Sequence, residues 1–194
     1  MGASPEHHER MQAAIELEAQ AQTDLLEGRR ERARERFAAA AAAYRASWEL
    51  ASGTSYGRLV GMLKAAVLAG GGEEEAAYAR GAIGDSDRYS VTAAYVRALA
   101  CLIAGDDGEA CRWTAVMLRS PGPFSRAAEA ITALARSESS LFQRVLQEIV
   151  RDFEARSKHL TGVAIADTAL MLEALARRRG MRPIGPASPL VPAL

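Results

Sequence analysis

From Met11 to about Gly180, apolar residues return at intervals of three and four, and no stretch alternates β-branched or aromatic residues with polar ones. That periodicity predicts an all-α chain. Its sharpest stripe is Ala33, Phe37, Ala40, Tyr44, Trp48 and Ala51, interleaved with the alanines Ala38–Ala43, which favour helix and permit close approach of a neighbour. The aromatics mark the stripe as the buried face. Gly28, Gly53, Gly70-Gly71-Gly72, Gly105, Pro121-Gly122-Pro123 and Gly180 interrupt the pattern as helix stops and turns would. Counting interruptions predicts about nine helices, near 10–27, 30–51, 56–70, 73–83, 88–104, 107–119, 123–136, 138–158 and 162–179.

A repeat underlies these helices. Ala33, Phe37 and Ala40 follow Gly28 at offsets of five, nine and twelve; Ala110, Thr114 and Met117 follow Gly105, and Phe142, Leu146 and Ile149 follow Ser137, at the same offsets. Gly72, with Ala77, Gly81 and Gly84, gives a weaker fourth instance. The spacing resembles the second half of a tetratricopeptide repeat, in which a small turn residue precedes a helix that packs those positions onto its partner. The expected fold is a degenerate tetratricopeptide-like helical-hairpin array, an α-solenoid. Residues 1–10 are expected to be a flexible N-terminus, 11–181 the helical-repeat domain, and 182–194 a proline-rich tail. Pro183, Pro186, Pro189 and Pro192 should keep that tail extended, while Ile184, Leu190 and Val191 pack it on the domain.

Composition narrows the partners. Twenty-four basic and 24 acidic residues cancel, which argues against the positive field of a nucleic-acid or anionic-membrane binder. Lys64 and Lys158 are the only lysines, and with the heavy use of alanine and arginine this suggests a GC-rich bacterial genome. The first twenty residues carry no secretory pattern, so a cytoplasmic protein is expected. The most apolar segments are short or interrupted by Arg97, Asp167 and Glu173, so no membrane span is expected.

Candidate chemistry is sparse. Gly105-Asp106-Asp107-Gly108 occupies a turn, where Asp106 or Asp107 would cap the next helix, and the apolar pattern resumes too soon for a calcium loop. Cys101 and Cys111 lie ten apart, a spacing that suits neither a zinc site nor a redox pair. His7 and His8 fall in the polar N-terminus, and His159 follows a long helix; none has a companion at ligand spacing. No metal or cofactor is expected. The runs "RRERARER" (Arg29 to Arg36), "EEE" (Glu73 to Glu75) and "RRR" (Arg177 to Arg179) are explained as a solvated helix face and as charges suited to helix ends. Asp167 stands out, because "GVAIADTALMLEALA" is apolar nearly all round; a carboxylate buried there needs a partner, expected to be an arginine.

From about Tyr89 onward, "YSVTAAYVRALACLIAGDD", "SESSLFQRVLQEIVRDF", "GVAIADTALMLEALARRRGM" and "SPLVPAL" follow one another in an order similar to the C-terminal half of the Imm49-type immunity proteins, bacterial antidotes to toxins. The resemblance implies a non-enzymatic protein that neutralises a toxin by binding it. In hairpin arrays the first helix of each hairpin tends to line the concave face. Arg97 and Ala94 are expected on the open side of the helix from Arg88 to Ala104. Tyr89, Arg97 and an exposed Arg126 are therefore the expected partner-binding positions. Two alternatives stand beside this: a self-associating helical scaffold, and a small helical enzyme using Asp167, His159 or a cysteine.

Overall fold

The computed structural model describes residues 6–51, 53–84, 87, 89–182 and 187–193. Among them the chain forms nine α-helices and no strand: α1 Glu6–Leu26, α2 Arg30–Leu50, α3 Gly57–Ala69, α4 Glu73–Ala82, α5 Val91–Ile103, α6 Asp107–Met117, α7 Pro123–Ala135, α8 Ser139–Glu154 and α9 Asp167–Arg178. The first eight pair as α1/α2, α3/α4, α5/α6 and α7/α8, and successive hairpins stack through α2 on α3, α4 on α5 and α6 on α7. No helix among the described residues is long and apolar enough to cross a membrane.

The same turn closes every hairpin. At Gly28, Gly105 and Ser137 the backbone takes a positive φ, its N–H bonds the carbonyl three residues back, and the next N–H reaches five back. This double bond satisfies the carbonyls left over at a helix C-terminus, and it needs the left-handed conformation that glycine adopts freely. Ser137, at φ 58°, adopts it without that freedom. Two residues after each of these turns the second helix begins, so the residues at offsets five, nine and twelve are all buried.

The fourth instance needs correction. The turn that ends α3 is at Gly70, whose N–H bonds Val67 O while that of Gly71 reaches Ala66 O, and α4 starts three residues later. The extra residue rotates the helix, so that α4 buries Ala76 and Ala79 and leaves Ala77, Gly81 and Gly84 exposed or half-exposed.

Burial explains the layering. Helix α5 buries ten residues around its whole circumference, because α3, α4, α6 and α7 surround it. Helix α9 lies against α3, α7 and α8. It covers parts of α3, α7 and α8, and its buried set from Ala169 to Ala176 takes up most of its surface. It begins at Asp167, not near 162: Gly162 has a positive φ, and the Ala166 N–H pairs with Leu190 O of the tail.

Both ends of the chain also correct the expectation. Residues 6–10 are helical, with His7 buried, its carbonyl accepting from Ser47 Oγ at 2.7 Å and its Nδ1 2.9 Å from Arg58 Nη2. In the tail, Val191 N–H bonds Ser188 O in a turn where an extended run was expected, and Leu190 and Val191 are half-buried against the core. Pro183, Ile184 and Pro186 lie outside the described residues. The three arginines ending α9 do more than suit its dipole. Arg178 donates to Val67 O and Gly71 O, satisfying carbonyls at the end of α3, and Arg179 reaches Leu102 O and Asp107.

Candidate functional site

Charged and phenolic groups from five helices meet below the start of α9. They are Glu18 of α1, Tyr44 of α2, Lys64 of α3, Tyr95 of α5 and Asp167 of α9. Asp167 is the first residue of its helix, where a carboxylate suits the positive end of the dipole. The Lys64 ammonium donates to Asp167 Oδ2, and the Thr168 N–H donates to Oδ1 at 2.6 Å. Tyr44 donates to Glu18 Oε2 at 2.5 Å, while Gln22, itself bonded by Thr161, donates to Oε1 at 3.4 Å. Gly61 makes room for this: a Cβ there would stand 2.8 Å from the Tyr44 ring.

Electrostatics follow from burial and pairing. Loss of water pushes the Glu18 carboxyl above its usual range, and the Lys64 cation beside it only partly offsets this. Burial works against the Lys64 charge, but Asp167 and Glu18 outweigh it and hold the ammonium above its usual range. Tyr95 is pushed up to about 12 by burial, and Tyr44 goes higher still through burial and the Glu18 carboxylate.

Glu18, Lys64 and Asp167 of this cluster line a cleft of about 230 Å³ whose other wall is the long connection from Ala155 to Ala166. That connection brings His159, stacked on Phe153 with ring centroids 6.2 Å apart, and Leu160, which is 71% exposed. Asp167 and His159 thus share one cleft, as an enzyme reading requires. No hydrogen bond among the described residues joins them, and Asp167 is committed to Lys64 and Thr168. Both cysteines are free and lie elsewhere.

The expected surface residues separate. Tyr89 is 84% exposed. Arg97 is buried, contrary to expectation, because α5 is central: it donates to Gly84 O at 2.6 Å and lies 4.5 Å over the Trp113 ring, and Ala94 is buried with it. Arg126 is half-buried in an ion pair with Asp152, not free on a surface. The partner of Asp167 is Lys64, not an arginine. Asp106 takes the N-cap of α6, accepting from Glu109 N–H at 3.4 Å, and Asp107 pairs with Arg179. Among the described residues no three histidine, cysteine or acidic side chains are placed to hold a metal ion.

Lys64 and Glu18 escape a reading of the sequence as site residues, and Tyr44 is legible only as part of the buried stripe of α2. Lys64 carries the signal that singled out Asp167, a lone charge inside the apolar run "LVGMLKAAVLA". Glu18 lies in a helix so polar that one buried acid does not stand out. No family model, no curated protein and no solved structure matches the chain.

Proposed function

We propose that the chain is a non-catalytic helical-hairpin module that works by binding another polypeptide, and that the immunity-type resemblance gives the specific form: an antidote that holds a toxin by direct contact. The observation that carries this reading is the internal closure of the charged cluster. Lys64 answers Asp167, and Tyr44 and Gln22 answer Glu18. Groups spent on one another stabilise an arrangement of helices and are poorly placed to act as a free base or nucleophile. Exposed anchors support binding: Leu160 on a connection longer than most, and Tyr89 before α5, are large apolar side chains left in water.

The test is calorimetric titration of the purified chain against the polypeptide encoded beside it, with growth of cells producing that polypeptide as the second readout. The reading expects saturable binding and restored growth. Turnover of a small molecule by the chain alone, or no binding together with no rescue, contradicts it. A second reading is favoured by one observation, the shared cleft of Asp167 and His159, which would make the chain a small helical enzyme. His159→Ala should then abolish turnover without affecting binding.

A further inference from the structure

The arginine runs at the start of α2 and the end of α9, each explicable alone as surface charge, are brought together by the fold. Arg30, Arg34, Arg177 and Arg178 surround a pocket of about 280 Å³ whose floor is Leu25, Ala33, Phe37, Val67 and Leu68. The floor residues are each at most 6% exposed, and none of the residues lining the pocket is acidic.

The arginines from Arg29 to Arg36, around the start of α2, divide by helical spacing. Arg29, Arg32 and Arg36 turn to one side and converge on the buried Asp24 carboxylate. Arg30 and Arg34, one turn apart, face the pocket, and no described carboxylate lies within ion-pair distance of either. Among the described residues, the Arg30 side chain bonds the Ala193 carbonyl, at 3.2 Å, and no other group. Arg177 is held by Glu173 at 2.6 Å and Arg178 by an exposed Glu73 at 3.7 Å.

Resting on the reading of the chain as a polypeptide-binding module, we infer that this pocket is the docking site for an acidic segment of the partner. A large apolar side chain of that segment enters the pocket, and flanking carboxylates pair with Arg30 and Arg34. Charge complementarity selects the acid, since guanidinium forks match carboxylates bidentately. Size selects the anchor: the volume is slightly below the range of about 300–1,000 Å³ typical of small-molecule sites and accommodates a large side chain. The chain as a whole has no net positive charge, which disfavours a nucleic acid.

The test is fluorescence polarisation with the full chain and a labelled peptide of glutamates around one central phenylalanine. It is compared with the same peptide carrying alanine at the centre, a single-stranded oligonucleotide, and phosphatidylglycerol vesicles. The phenylalanine peptide should bind at least tenfold more tightly than the alanine peptide. The double variant Arg30→Gln, Arg34→Gln and the pocket-filling Ala174→Phe should each lose at least tenfold, with melting temperatures of the arginine variant unchanged. Equal binding of both peptides, full binding by both variants, or a preference for oligonucleotide or vesicles overturns the inference. If the adjacent-gene polypeptide binds the arginine variant at full affinity, the module reading stands and this pocket is not its contact; if that polypeptide binds neither form, the module reading fails irrespective of the peptide result.

Discussion

The two ends of α9 use charge in opposite ways. At its N-terminus Asp167 meets Lys64 beneath the helix, and the neighbouring Glu18 is held by Tyr44 and Gln22, so the charges are answered within the fold. At its C-terminus Arg177 and Arg178 join Arg30 and Arg34 around an apolar floor, where two guanidinium groups have no carboxylate partner among the described residues. Helices α1, α3 and α9 contribute to both places. The contrast separates charge that organises the fold from charge left for a partner, and it predicts opposite responses to mutation.

The largest effect is expected at the answered end. Asp167→Ala leaves the half-buried Lys64 ammonium without its partner and should cost about 1–3 kcal/mol, read by chemical denaturation. Replacing both, as Lys64→Met with Asp167→Leu, should recover most of that loss, because two apolar side chains need no mutual pairing. A double variant as unstable as the single one would show that the pair is not the unit.

Next comes Gly61→Ala, which drives a methyl group into the Tyr44 ring and should cost about 1–3 kcal/mol by overpacking. If the chain melts unchanged, Tyr44 has room to move and its bond to Glu18 does not organise the cluster. Ser137→Gly is a smaller change of opposite sign. It relieves a left-handed serine and should stabilise the chain by about 0.5–1 kcal/mol, whereas Gly28→Ala should destabilise it by a similar amount.

The pH dependence tests the Glu18 environment. Its carboxyl is raised above the usual range by burial, so the folded chain holds that proton more tightly than the unfolded chain does. The resulting stability is present in acid below the ordinary glutamate range and is lost as pH rises through the raised value. Melting temperatures of the wild type should therefore fall relative to Glu18→Gln as pH rises above the ordinary glutamate range. Parallel curves would mean that Glu18 ionises as freely as an exposed acid.

How much of this the chain announces depends on how local the signal is. The stripe on α2 and the turns at Gly28, Gly105 and Ser137 are legible because spacing and turn chemistry within about a dozen residues decide them. Gly70 is misread as Gly72 because three consecutive glycines give no local reason to prefer one. Arg97 is misplaced for a different reason: a helix surrounded by four others buries its polar residue too, and only the packing of α5 reveals that. Asp167 is legible as a paired acid in an apolar segment, though it is half-buried where full burial was expected, and its partner lies on another helix, so the choice of Lys64 over an arginine is a tertiary fact. The arginine pocket is invisible for the same reason, since its two halves are read separately and each looks complete.

The smallest expected effect on stability is Arg34→Gln, an exposed position that should change it by less than about 0.5 kcal/mol. That makes one paired measurement decisive: affinity for the acidic phenylalanine peptide and thermal stability, determined together for Arg30→Gln, Arg34→Gln and for Lys64→Met. The account predicts that the arginine variant keeps its melting temperature and loses binding at least tenfold, while Lys64→Met melts several degrees lower and, below its transition, binds as the wild type does. An arginine variant that binds normally, or a Lys64→Met chain that is fully stable yet no longer binds, would contradict the division of labour between the two ends of α9.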